Sequence, residues 1–326
     1  MPFELARRAL PADAEREIET ATRTFARVWG RRPLVDGRSF RELLEWKGAS
    51  LWWMVETHFR TSTEAVACAR QAEILLRVLE AEAPQEVEGV GLPNRDAVLL
   101  ERAATARGVL CHTHERARTP ARPGWSSWLK GAFSHRARSG KPLPSAEYLL
   151  VTDAKEELPT ESPVPVPLEA LHDADSREAR TAMKTARPRF DEAFAELAAS
   201  AGVREAFSHR GVAFHDLCAH DLEELLQVAL PRAVHLFEET AALLHAASPR
   251  AVAVRVASRD ERRTVLAACR SAGVPTVFLR TQGEHEPERL DGGPEPDLVL
   301  AWDGSAGPDD LREALHEAAV SRVGTS

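Results

Sequence analysis

The sequence has few cysteines, no long apolar run and no excess of positive charge, and each shortage closes a class of function. Its 326 residues hold four cysteines, Cys68, Cys111, Cys218 and Cys269, far apart and with no CxxC pair. A disulfide-stapled secreted module is therefore not expected, and the spacing fits free thiols in a reducing compartment. No stretch approaches the ~18 apolar residues of a membrane span. The opening MPFELARRALPADAEREIE also lacks the apolar core of a signal peptide, so the cytoplasm is the expected compartment. A formal net charge of −8 leaves no global electrostatic footprint for nucleic acid. GxGxxG, GxxxxGKS/T and GxSxG are missing as well, so dinucleotide, P-loop and nucleophile-elbow chemistry have no support and no cofactor is evident.

What is present is an ordinary globular composition, 44% hydrophobic and 28% charged, sufficient for a sizeable core. Helical periodicity runs through residues 12–29 and 49–82, with Trp52, Val55 and Phe59 on one face. Pro84 ends that region. A short apolar run at Val87–Leu92, a helix over Asn94–Arg107, Gly108 as its cap and a strand at Val109–His112 follow, which together make a β-α-β unit.

The same grammar returns 165 residues later without a gap. APQEVEGVGLPNRDAVLLERAATARGV (83–109) lies over SPRAVAVRVASRDERRTVLAACRSAGV (248–274), so that Pro84 matches Pro249, Val87 matches Val252, and Gly108-Val109 match Gly273-Val274. Long helical segments precede both copies, and a third strand follows each: EYLLVTD (147–153) and PDLVLAWD (296–303). Alternation of this kind implies parallel pairing. The expected fold is therefore α/β, with Rossmann-like parallel sheet or sheets built from two sequence-related β-α-β repeats. The expected division is 1–153 for the helical amino-terminus and first repeat, 154–171 as an acidic proline-rich linker, and 172–326 for long helices and the second repeat.

In open parallel sheets ligands collect beyond the carboxyl ends of the strands. That rule selects Asn94 and Arg95, His112 and His114, and Asp153 in the first copy. In the second it selects Ser258, Arg259 and Asp260, then Gln282, Gly283 and His285, then Asp303. Asn94 and Ser258 fall where helix N-caps belong, each with an arginine next, which suits either a phosphate site or a plainly capped helix. CHTHE (111–115) and HDLCAH (215–220) bring metal-ligating residues together, but spacing supplies no third ligand in either, so no metal is expected.

One segment, 115–144, is basic in an otherwise acidic chain. Trp125, Trp128, Leu129, Ala132 and Phe133 recur at helical spacing among Arg116, Arg118, Arg122, Lys130, Arg136, Arg138 and Lys141. It reads as an amphipathic helix for an anionic membrane surface or a phosphorylated ligand, or as a strap packed on its own sheet. The contact residues singled out for a partner or membrane surface are Trp125, Trp128, Lys130, Phe133 and Arg136.

Three stretches carry a family resemblance: SFRELLEWKGASLWWMVETHF (39–59), AFSHRGVAFHDL (206–217), and the run from SPRAVAV through GVPTVFLRTQG (248–283). Together they resemble the amino-terminal half of GT-B-type glycosyltransferase-like proteins of bacterial surface-polysaccharide assembly. That family's Gln-His-Gly motif is represented here by adjacent Gln282 and Gly283, with His285 nearby. The resemblance implies a nucleotide sugar as substrate, a partner that supplies the donor-side half, and a phosphorylated or sugar ligand held by Arg95, Arg259, Gln282 and His285. It implies His285 or Asp303 as general base.

Overall fold

In the computed structural model the described residues are 10, 11, 13–114, 146–153, 163–281, 293–302 and 306–323. The chain is a mixed α/β protein that divides into two compact units. The first unit comprises Met1–Leu43, His58–Phe133 and Asp191–Leu226, and the second comprises Leu44–Thr57, Ser134–Phe190 and Gln227–Ser326. Among the described residues no helix is long and apolar enough to cross a membrane.

In the first unit, helix α1 (Ala14–Trp29) turns one apolar stripe inward through Ile18, Phe25, Ala26 and Trp29. Trp29 is fully buried. It stacks on Phe59 with ring centroids 4.3 Å apart, and Phe40 and Phe207 pack against it at 5.4 and 5.2 Å. Helix α2 (Glu64–Glu82) leads into β1 (Glu86–Val90), α3 (Asn94–Arg107) and β2 (Leu110–His114). β1 and β2 form a two-stranded parallel sheet, registered from Glu86 opposite Leu110 to Val90 opposite His114. The continuous helix expected over 49–82 is broken. Leu51–Met54 is a 3₁₀ turn, Glu56–Ser62 a separate helix, and Thr63 the extended residue before α2. Trp52, Val55 and Phe59 are all buried, but they do not share one helix face.

The second unit holds a five-stranded parallel sheet. Its strands are β3 (Tyr148–Thr152), β4 (Val164–Pro167), β5 (Ala251–Arg255), β6 (Thr276–Thr281) and β7 (Leu298–Trp302), in the order β7-β6-β5-β3-β4. Helices α4 (Leu230–Ala247) and α5 (Arg259–Ser271) and a terminal helix α6 (Pro308–Val323) complete it. Alternate residues of each central strand face opposite layers. Leu149, Val151, Val252 and Val254 pack with Leu236, Leu243 and Val265 of α4 and α5. Tyr148, Leu150, Ala251 and Ala253 pack with Leu311, Leu315 and Ala318 of α6. Burial on both faces is what a near-continuous apolar strand requires.

This explains why EYLLVTD, which follows the first repeat in sequence, pairs with β5 of the second: all five residues of β3 are buried. The expected linker, 154–171, is structured in its described part, where Val164–Pro167 forms β4 and Leu168–Asp173 a short helix. Prolines 165 and 167 are tolerated because β4 is an edge strand, which can spare the N–H donors.

The two repeats agree in backbone detail. Ala83 and Ser248, 165 positions apart, both end their helices in the left-handed region, at φ 43° and 49°. Each amide closes onto the fourth residue back, Leu79 and Leu244. Gly108 and Gly273 take φ 67° and 72°, the conformation that terminates a helix at least strain in glycine. Val109 and Val274 donate to the equivalent carbonyls of Ala104 and Cys269. Even the register is shared, with Val87 opposite Cys111 and Val252 opposite Thr276.

The likeness extends upstream. Residues 45–50 and 208–213 are hairpins of one register, Trp46 opposite Ala49 and His209 opposite Val212. Both turn through a basic residue and a glycine with positive φ, Lys47-Gly48 and Arg210-Gly211, the mirror-image turn that suits strand twist. In the second unit Trp46 Nε1 and Lys47 Nζ donate to the buried Glu238 carboxylate of α4 at 2.8 and 2.7 Å. In the first unit His209 Nε2 and Arg210 Nη1 meet the buried Glu73 carboxylate of α2 at 2.8 and 3.2 Å. Glu73 and Glu238 are themselves 165 positions apart. Each hairpin thus packs on the long helix of the other repeat, which is why the two units interleave along the chain.

Candidate functional site

The strand order places a reversal between β5 and β3. From β5 the chain proceeds outward through β6 to β7, and β3 and β4 occupy the other side. In open parallel sheets, ligands bind beyond the carboxyl ends of the strands at such a switch point. Two loops meet here. Asp153, just after β3, donates its amide to the Arg255 carbonyl at 3.2 Å. Its Oδ2 accepts from the Ala257 amide at 2.8 Å, fixing the segment between β5 and α5.

Ser258 ends that segment as the N-cap of α5, its hydroxyl accepting from the Glu261 amide at 3.5 Å. The expected cap is therefore present. Ala257 and Ser258 are exposed and Arg259 is half-buried, so the loop offers a hydroxyl and a guanidinium within two residues. Arg262 donates to the Val256 carbonyl at 3.3 Å and lies 4.3 Å over the Phe278 ring, which braces the same loop from beneath.

The rest of the first turn of α5 is committed to packing. Asp260, selected from the sequence as a ligand position, accepts at its Oδ1 from the Thr57 amide at 2.8 Å and caps the helix Glu56–Ser62. Arg263 pairs with buried Glu56 at 2.9 Å, and burial pushes its guanidinium below the usual range. Glu261 receives His172 Nε2 at 2.9 Å and Arg232 at 3.0 Å. Burial opposes its ionisation, yet those partners and Ser258 hold its carboxyl below the ordinary value. Two carboxylates in the first turn also offset the helix dipole that would draw an anion.

The equivalent positions of the first repeat differ. Pro93, not Asn94, occupies the N-cap of α3, and Asn94 is the first helical residue. Proline offers no side-chain acceptor, so the parallel with Ser258 fails at the cap itself. Arg95 bridges Glu64 at 2.8 Å and Asp96 at 3.2 Å, an ion-pair role. His112 and His114 do point the same way, with rings nearly parallel and centroids 6.4 Å apart. Each faces a carboxylate of β1, Glu86 at 3.1 Å and Glu88 at 3.6 Å. These are cross-strand pairs on an exposed sheet face.

Gln282, Gly283, His285 and Asp303, and the whole Trp125, Trp128, Lys130, Phe133 and Arg136 surface, lie outside the described residues. Of the positions selected from sequence, the structure brings together Ser258, Arg259 and Asp153, the last holding their loop. The pairing of β3 with β5 is what sets Asp153 beside them. In HDLCAH the residues separate: Cys218 Sγ is buried 3.7 Å from Cys68 Sγ, while His220 is exposed. No protein-family model, curated protein or solved structure matches this chain.

Proposed function

We propose that the protein is a glycosyltransferase-like ligand-binding protein of glycan or glycoconjugate biosynthesis, holding a sugar or phosphorylated ligand at the crevice between β3 and β5. The observation that carries this reading is the strand reversal there, with Ser258 and Arg259 at its rim and Asp153 locking the loop between β5 and α5. Arg259 would supply charge to a phosphate, and the Ser258 hydroxyl and neighbouring amides would supply directional hydrogen bonds. The sequence resemblance adds the wider frame: an acceptor-side half that works with a donor-side half from a partner, with His285 or Asp303 as the base that deprotonates an acceptor hydroxyl.

A thermal-shift screen against nucleotide sugars, free nucleotides and polyprenyl-phosphate mimics tests the reading, because a ligand bound only by the folded state raises the melting temperature. A concentration-dependent shift removed by Arg259→Ala is the expected result. A well-folded protein with no shift from any of these ligands would overturn it. One observation favours a second reading, a scaffold without ligand: Asp260, Glu261, Arg262 and Arg263 are all turned to internal partners. A flat screen together with robust capture of a defined partner chain would establish that alternative.

A further inference from the structure

Within the first unit, two of the four cysteines meet. Cys68 lies on the inward face of α2 with the buried Ala65 and Ala72, and Cys218 is the residue that precedes the helix Ala219–Glu224. Cys218 Sγ stands 3.7 Å from Cys68 Sγ, across 150 positions of sequence. Both residues are fully buried. Cysteines whose side chains point apart cannot be bridged without moving the backbone. These two already point at each other, with their sulfurs in contact.

The backbone on both sides of Cys218 is fixed. Its amide donates to the His215 carbonyl at 3.1 Å, and its own carbonyl accepts from the Asp221 amide at 2.9 Å. Two residues earlier, Asp216 pairs with Arg102 of α3 at 2.6 and 2.9 Å. Three residues later, the buried Asp221 carboxylate accepts from the Glu64 and Ala65 amides at 3.0 and 2.6 Å, which ties this segment to the first turn of α2. These contacts set the two sulfurs side by side whether or not they are bonded. The other cysteines stand apart: Cys111 is half-buried in β2, and Cys269 lies in the core of the second unit.

We propose that Cys68 and Cys218 are a redox-responsive pair, a dithiol at rest that hydrogen peroxide converts to a disulfide. One thiolate attacks a peroxide oxygen and breaks the O–O bond, giving a sulfenic acid and, with the thiol proton, one water. The second sulfur then attacks the sulfenic sulfur and expels its hydroxyl, which leaves with the second thiol proton as another water. Two thiols and one peroxide thus yield one disulfide and two waters, the sulfurs being oxidised and the peroxide reduced. The hydrogen-bonded Cys68, burial and the Asp221 and Glu64 carboxylates all push the Cys218 thiol up. Its thiolate is therefore scarce, and the pair answers sustained oxidant rather than a brief pulse. The bridge ties α2 to the segment before the helix Ala219–Glu224 and closes a loop across 150 positions, which stabilises the fold chiefly by restricting the unfolded chain.

The test treats the reduced full chain with hydrogen peroxide, alkylates the remaining thiols after denaturation, and maps the peptides by mass spectrometry. A cross-linked peptide joining Cys68 to Cys218 is expected, with a rise in melting temperature of at least about 5 °C that a dithiol reductant reverses. Cys68→Ala, which continues the alanine face of α2, and Cys218→Ala each abolish that rise, whereas Cys111→Ser leaves both readouts intact. The wild-type peptide map decides the question even where a variant folds poorly. Recovery of Cys68 and Cys218 as alkylated thiols after Cys111 has been oxidised, or their bridging to other cysteines, overturns the proposal and leaves only a packed pair of sulfurs in the core.

Discussion

Residues 86–114 and 251–281 follow one backbone, cap for cap and register for register, yet they finish in different surroundings. In the second copy β5 and β6 lie at the centre of a five-stranded sheet with helices on both faces. In the first copy β1 and β2 stand as a pair whose outer face carries Glu86, Glu88, Leu110, His112 and His114 in contact with solvent. The difference lies in side chains at matched positions: Glu86 and Glu88 occupy the places of Ala251 and Ala253. Backbone grammar, set by caps and turns, is separable from the decision whether a sheet will be covered. Hydrophobic strands must recruit a neighbour and a helix layer, whereas alternating charged strands need only one covered face.

The largest effect expected from breaking this comparison comes from exchanging those matched residues. Ala253→Glu places an unpaired charge against the buried face of α6 and destabilises the protein by more than about 4 kcal/mol. Glu88→Ala, its reciprocal, stays within about 0.5 kcal/mol. Urea unfolding measures both. Equal effects would mean that the two sheets are covered alike.

Next come the paired carboxylates of the long helices. Glu73, with His209, Arg77 and Arg210 around it, loses more than Glu238, whose partners are Trp46 and the exposed Lys47. Glu73→Gln is expected to cost about 3 kcal/mol and Glu238→Gln about 1 kcal/mol. Burial raises the Glu73 carboxyl, but the hydrogen bonds from His209, Arg77 and Arg210 outweigh it and bring the value from the ordinary 4.5 to about 2. A depressed carboxyl stabilises the folded state above its unfolded pKa. The advantage of wild type over Glu73→Gln should therefore be full above pH 4.5 and vanish as the pH falls through about 2.

The helix caps sharpen the comparison from the other side, because there the two copies should behave alike. Gly108→Ala and Gly273→Ala each force a side chain into the left-handed region, with open space around the new carbon, and each should cost about 1 kcal/mol. Unequal losses would argue against a shared backbone role. The smallest effect belongs to the exposed ladder. His112→Ala, which releases Glu86, should alter stability by less than about 0.5 kcal/mol in a thermal melt.

Much of this was legible before folding. Gly108 and Gly273 announce their caps because few residues adopt positive φ without strain. Ser258 announces its helix start because its hydroxyl can satisfy an orphan amide. The crevice was legible only in part. Ser258 and Arg259 follow from position along one repeat, but Asp153 joins them through the pairing of β3 with β5, a contact made across about a hundred residues. The capping role of Asp260 was not legible, because an acid in a helix's first turn looks free in sequence. Its partner, the Thr57 amide, lies more than 200 positions away.

The sequence by itself determined the α/β class, the duplicated β-α-β grammar and the caps that end each helix, since these depend on periodicity and on backbone preferences acting over a few residues. Tertiary structure decided which sheet Tyr148–Thr152 would join, that the hairpins at 45–50 and 208–213 would each settle on the other repeat's buried glutamate, and which carboxylates became helix caps. Those outcomes depend on burying apolar strands on both faces and on finding partners for buried charge, and both are satisfied only by residues far apart along the chain.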